Sequence, residues 1–180
     1  MYKRQWLINL VENLLSITRF VEGRLNLNIT EDLVEDVISE ALQHVNKKNA
    51  EHHITVKTEE ELILAKMDSR LIVQVIINIV NNAIEYTPKG SNICISVKKK
   101  DGKVYVSIAD DGNGISDEAK SRVFDMFYSG ENTIADSRRN CGIGLSLCRS
   151  IINAHGGEIT VSDNKPKGAV FTFTLSLIHI

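Results

Sequence analysis

Residues 68–88 read Asp68-Ser69-Arg70-Leu71-Ile72-Val73-Gln74-Val75-Ile76-Ile77-Asn78-Ile79-Val80-Asn81-Asn82-Ala83-Ile84-Glu85-Tyr86-Thr87-Pro88. So dense a β-branched content would suit a strand. The length of the run, the capping Asp68 and a single polar stripe instead decide for a helix reaching about Tyr86. Gln74, Asn78, Asn82 and Glu85 recur at spacings of four, four and three, so they line one face. Uncharged amides are costly to bury without partners. The stripe therefore faces a polar cavity or a ligand, or else backbone groups that satisfy it. Asn suits polyphosphate with Mg2+: its carbonyl oxygen coordinates the metal, its amino group donates to phosphate, and it adds no negative charge.

Downstream, Thr87-Pro88-Lys89-Gly90 is a turn, and Ile93–Val97 with Val104–Ala109 reads as a hairpin around Asp101-Gly102. The second strand runs into Asp110-Asp111-Gly112-Asn113-Gly114, whose glycines let the chain turn tightly and a flat ligand come close. A carboxylate at a strand end accepts from an exocyclic amine and so selects adenine over guanine; alone, the same run is also an ordinary turn. Asn140-Cys141-Gly142-Ile143-Gly144 then opens a helix to His155, stopped by Gly156-Gly157. Free N–H groups and the helix dipole at such a start favour an anion. The G-x-x-x-x-G-K-[ST] run is absent, the third glycine of G-x-G-x-x-G is missing, and there is no H-R-D or D-F-G. P-loop, Rossmann and eukaryotic protein-kinase patterns are therefore set aside.

Upstream, residues 3–22 carry Leu7, Leu10, Leu14, Ile17 and Val21 at alternating spacings of three and four, a helix–helix seam. Trp6, Val11 and Leu15 widen it toward a bundle face. Leu25–Ile29 alternates like a short strand, and Thr30 with Glu31-Asp32 is read as opening a helix from Leu33 to Val45. Ile54–Val56, Leu62–Ala65, Ile159–Ser162 and Val170–Leu175 read as further strands. Ser116 is read as capping a short helix to about Phe124, and residues 128–141 read as a polar, mobile loop. Strands and helices mix without strict alternation, so the expected fold is α+β: a two-layer sandwich, its mixed sheet covered by helices on one face.

The 180 residues suit one domain with some length to spare, and 43% apolar with 24% charged residues is an ordinary globular balance. A net charge of −2 speaks against a strongly basic nucleic-acid binder. Three cysteines (Cys94, Cys141, Cys148) without a C-x-x-C pair favour a reduced, cytosolic interior, and no run is long and apolar enough for a membrane span. His52-His53 reads as a solvated loop pair, His155 carries no assignment, Lys98-Lys99-Lys100 is a solvated hairpin end, and Arg138-Arg139 are placed to meet either phosphate or solvent.

Taken in order, Asn78-x-x-x-Asn82-Ala83 with Tyr86-Thr87-Pro88, Asp110-x-Gly112-x-Gly114, Phe124-x-x-Phe127-Tyr128 and Gly142-x-Gly144-Leu145 resemble the N, G1, F and G2 boxes of sensor histidine kinases. The segment from His155-Gly156-Gly157 through Pro166-x-Gly168-Ala169 is also similar to Kdp-type potassium sensor kinases, and Leu15, Arg19 and Gly23-Arg24-Leu25 to the second helix of a dimerisation domain. The resemblance implies the Bergerat-type ATP-binding sandwich shared with Hsp90, gyrase B and MutL, with residues 1–24 a partial dimerisation helix and 25–180 the catalytic domain. It implies that Asp110 binds the adenine amine with help from Gly112 and Gly114, and that Asn78 and Asn82 hold Mg2+ and phosphates as the catalytic pair. Tyr86, Phe127 and Leu145 would lie near the nucleotide, Gly142 and Gly144 at the phosphates, and Arg138 and Arg139 in the lid above them. The implied partners are the phosphoacceptor helix, a response regulator and a second copy of the full-length protein, in a cytosolic module of a membrane-anchored sensor; nucleic acid is not among them. Three positions depart from the pattern: Glu85 stands where the family usually has Lys, Ser129 where a basic residue is common, and Asn140 at the first glycine of the last box. Two other readings stay open. One is an ATP-hydrolysing clamp, which would need a glutamate base at Asn78; the other is a non-catalytic nucleotide-binding or dimerisation module.

Overall fold

The structure, a computed structural model, describes residues 11, 15, 18, 26–45, 51–60, 62–128 and 142–178. Its elements run β1 (Thr30–Leu33), α1 (Val34–His44), β2 (His53–Thr58), β3 (Leu64–Met67), α2 (Ser69–Tyr86), β4 (Asn92–Lys100), β5 (Lys103–Asp110), α3 (Asp117–Lys120), α4 (Gly144–Ala154), β6 (Ile159–Asp163) and β7 (Ala169–Leu177).

Alternation along the long strands sets the sheet. Ile93, Ile95 and Val97 on β4, Val104, Val106 and Ile108 on β5, and Phe171, Phe173 and Leu175 on β7 point to one side and are buried. The register puts Val106 between Val97 and Phe173, so the apolar residues stack across neighbouring strands. Among the described residues seven strands form one mixed sheet, six in the order β1-β3-β7-β5-β4-β2 and β6 off this path against β7. One edge of β7 is shared, with β6 along Ala169–Phe173 and β3 at Ser176–Leu177. Among the described residues only β2 and β4 run parallel. Asp101 and Gly102, both left-handed, close the β4–β5 hairpin.

The apolar face of the sheet receives α2, whose Ile72, Val75, Ile76, Ile79 and Val80 are buried, with α1 and α4 packed on either side of it. This is the expected two-layer sandwich. Two ends of the core are locked by polar groups. Asp68 stands at the N-cap of α2 but its side chain does not cap the helix as expected: its carbonyl accepts the first helical bonds from Leu71 and Ile72 N–H, and its carboxylate accepts from Asn28 N–H instead. His155, which closes α4, donates from Nδ1 to the Ile151 carbonyl (2.7 Å) and accepts at Nε2 from Asp68 N–H (3.0 Å). Both ring nitrogens are used, so this histidine joins the ends of two helices.

The entry to α1 differs from expectation. Asn26–Ile29 is irregular, and Thr30–Leu33 is a strand rather than the first turn of a helix. The reason is tertiary: these residues pair antiparallel with β3, and Asp32 accepts from Thr30 and Ser69 hydroxyls, so its capping chemistry serves the start of α2 instead. In the expected N-terminal helix only residues 11, 15 and 18 are described; they are helical, with Val11 and Leu15 about half exposed. The boundary expected between residues 24 and 25, and the loop beyond Tyr128, lie outside the described residues.

Candidate functional site

Strand β5 ends in the buried Asp110. Its Oδ1 accepts from Gly112 N–H (2.9 Å) and Ala169 N–H (3.3 Å), which fixes the carboxyl in one orientation. Its carbonyl accepts from Asn164 Nδ2 at 2.7 Å. The turn that follows has no room for a side chain at Gly112. A Cβ on Gly112 would lie 2.8 Å from Thr87 Cγ2 and 3.0 Å from Asp110 Oδ1. Gly168 has φ of +111°, and a Cβ there would meet the Asp110 carbonyl oxygen at 1.9 Å. Asp111 plays a different part: its carboxylate accepts from Asn92 Nδ2 (2.8 Å) and N–H (3.1 Å), and these bonds hold it below the usual carboxylate range.

The amide stripe lies on α2 as the spacing requires, with Gln74, Asn78 and Asn82 half-buried and Glu85 and Tyr86 exposed. Asn78 faces the first turn of α4, where a Cβ on Gly144 would be 3.7 Å from Asn78 Cγ. Its Nδ2 is buried and makes no well-formed hydrogen bond among the described residues, although the Asn78 amide lies near enough to the Cys148 thiol to favour its thiolate. A buried, unpaired amide donor is costly, and here it sits beside a helix start that lacks a side-chain cap. Leu145, next in α4, packs against the core. Deeper on α4, Cys148 donates to the Val75 carbonyl at 3.7 Å; burial pushes its thiol up to about 12, so it is inert.

Phe127 and Gly142 bracket the undescribed segment. Phe127 N–H donates to the Gly142 carbonyl at 2.9 Å, and a Cβ on Gly142 would lie 2.6 Å from the Tyr128 carbonyl oxygen. The expected F and G2 runs thus meet in space, with Phe127 left-handed and 65% exposed. Arg138 and Arg139 lie outside the described residues.

Helix α2 is the wall common to these groups. Thr87, just past its end, touches the Asp110–Gly112 turn, and Asn78 touches the start of α4. The nine-residue step from Asn78 to Thr87 spans about 14 Å of helix rise. Among the described residues no three His, Cys, Asp or Glu side chains converge as a metal site. The local donors are amides and backbone N–H groups, a set that suits Mg2+ shared with phosphate oxygens rather than held by a protein cage.

Several contributors were not legible beforehand. Asn164 reaches Asp110 from 54 positions away, a pairing that no local pattern announces. Thr87 reads as a turn residue, and the resemblance gives it no role, yet it is buried and lies under Gly112. His52, expected as half of a solvated pair, is instead half-buried with Nε2 3.1 Å from Thr87 Oγ1; its neighbour His53 is exposed. Its burial comes from the turn at Thr87–Ser91, which the residues beside it cannot signal.

The family model of the histidine kinase-, DNA gyrase B-, and HSP90-like ATPases matches residues 67–179. The chain is similar to the sensor protein KdpD of Clostridium acetobutylicum, with 44% identity over 171 residues, which are 95% of this chain and 19% of that protein. It therefore spans about a fifth of that relative. Among solved structures it is similar to the nucleotide-free catalytic domain of histidine kinase ThkA, with a TM-score of 0.73 and 32% identity, covering 83% of this chain and 95% of that one. It is also similar to ThkA in complex with the response regulator TrrA, with a TM-score of 0.74 and 28% identity, covering 96% of this chain and 49% of that one.

Proposed function

The chain belongs to the family of histidine kinase-, DNA gyrase B-, and HSP90-like ATPases as a sensor-kinase catalytic domain, and on that premise we propose that it transfers the γ-phosphoryl group of ATP to a histidine on a helix outside the catalytic domain. The observation that carries this reading is the buried Asn78 Nδ2, without a well-formed hydrogen bond among the described residues, opposite the start of α4 and on the helix that also backs the Asp110 turn. Asp110, with Oδ1 fixed by two N–H groups, turns its other oxygen to the adenine amine, and Gly112 and Gly114 admit the base. Tyr86 and Phe127 flank the nucleotide. Asn78 and Asn82 would donate to phosphate oxygens and hold Mg2+ through their amide carbonyls, while Gly142 ahead of α4, with Gly144 and Leu145 in its first turn, presents N–H groups to the phosphates. Arg138 and Arg139 supply the cations that Glu85 and Ser129 do not. When bound, Mg2+ neutralises charge on the transferring group; the chain's own work is to position the substrate.

A hydrolytic clamp would need a base at position 78, and an amide accepts no proton there. Residues 1–24 act in this reading as one helix of a dimerisation hairpin, 25–180 as the catalytic domain. The full-length protein is a homodimer that phosphorylates a response regulator, from a cytosolic module of a membrane-anchored sensor. No described helix is long and apolar enough to cross a membrane. The test is to mix the chain with its upstream histidine-bearing helix and γ-labelled ATP. Label should appear on histidine and vanish in Asn82→Ala. Steady ATP hydrolysis with no histidine label would overturn the reading.

A further inference from the structure

Thr87 Oγ1 donates its only proton to the Ala83 carbonyl at 2.7 Å, so toward His52 Nε2, 3.1 Å away, it acts as the acceptor. His52 therefore carries its proton on Nε2. Its backbone is held across the turn on both sides. Gly90 N–H donates to the Glu51 carbonyl (2.8 Å), His53 N–H to the Ser91 carbonyl (3.0 Å), and Lys89 pairs with the Glu51 carboxylate. A clasp of this kind fixes the rotamer of Thr87, whose methyl lies where a Cβ on Gly112 would be only 2.8 Å distant. Gly112 N–H is in turn a donor to Asp110 Oδ1.

We infer that His52 is a positioning residue for nucleobase binding: by donating to the Thr87 hydroxyl it holds the Thr87 methyl under Gly112, and so fixes the turn that orients Asp110. Its influence is on the base end of the site, because the contact is with the Asp110 turn and not with Asn78 or α4. The inference rests on the proposed role of Asp110 as the adenine acceptor.

Calorimetric titration of this chain with Mg·ATP and with inorganic tripolyphosphate separates the two claims. His52→Ala should weaken ATP by roughly five- to ten-fold, the value of one neutral hydrogen bond, and leave tripolyphosphate binding unchanged. His52→Gln, with an amide N–H in place of Nε2–H, should recover most of the loss. In a Thr87→Val background, which keeps the methyl shape and removes the hydroxyl, His52→Ala should add nothing. Equal losses for both ligands, no loss at all, or His52→Gln as weak as His52→Ala would overturn the inference while leaving the nucleotide reading in place. A wild-type chain that binds tripolyphosphate but shows no preference for ATP over GTP would overturn both.

Discussion

Gly168→Ala strikes the site at its tightest backbone contact. The new Cβ would start 1.9 Å from the Asp110 carbonyl oxygen, and reaching an ordinary van der Waals distance requires about 1.5 Å of movement. Both partners are backbone, so no side-chain rotation relieves it. Separating them breaks the 2.7 Å bond from Asn164 Nδ2 to that carbonyl, worth about 1 kcal/mol. The φ of +111° adds about 1–2 kcal/mol for a residue with a Cβ. The sum is a destabilisation of about 2–3 kcal/mol, or roughly 4–12 °C in Tm for a chain of this size. Because Ala169 N–H also holds Asp110 Oδ1, the carboxyl itself shifts, and a displacement near 1 Å at a binding group costs up to about 100-fold. The control is Gly102→Ala, also left-handed at +72° but with nothing within 4 Å. It should cost only about 1 kcal/mol and leave ATP binding alone. Differential scanning calorimetry with ATP titration reads both quantities. ATP affinity in Gly168→Ala equal to that in Gly102→Ala would refute the claim that this loop sets the Asp110 geometry.

Two further outcomes follow from single side chains. Glu85→Lys, on the exposed end of the amide stripe, should tighten Mg·ATP binding several-fold by adding a charge-assisted contact at a partly solvated position, as read by calorimetry; unchanged affinity would mean that other cations already neutralise the phosphates. Cys148 keeps its proton in the folded state to about pH 12, whereas the unfolded thiol ionises near 9.0. Its contribution is therefore complete below pH 9 and falls by about 1.4 kcal/mol per pH unit above it. Urea unfolding of wild type and Cys148→Ala across pH 8–11 should show the difference between them shrinking with pH, and a constant difference would contradict this.

Periodicity and turn chemistry carried most of the fold. The amide spacing at 74, 78, 82 and 85 needed only helical geometry, and the Asp101-Gly102 hairpin only turn stereochemistry, so both were legible. The start of α1 was not, because Thr30-Glu31-Asp32 is chemically a good helix entry and becomes a strand only when Leu64–Met67 arrives beside it. The site divides in the same way. Asp110, Gly112, Asn78 and Gly144 stand in local runs whose residue types announce a ligand. Asn164, Thr87 and His52 act through contacts between distant segments, and their own neighbourhoods read as loop or turn. His155 is similar: its Nε2 partner, Asp68 N–H, lies 87 positions away.

In the proposed site Asp110 reads the base while the amide stripe and α4 hold the phosphates. The direct measurement is the calorimetric affinity of the wild-type chain and Asp110→Asn for Mg·ATP and Mg·GTP. Asparagine can still accept from Gly112 and Ala169, but it turns an NH2 donor toward the adenine amine, itself a donor. The loss of a charge-assisted acceptor should weaken ATP by roughly 10- to 150-fold and abolish most of the preference over GTP. An Asp110→Asn chain that binds ATP as tightly as wild type, and still prefers it to GTP, would contradict the account.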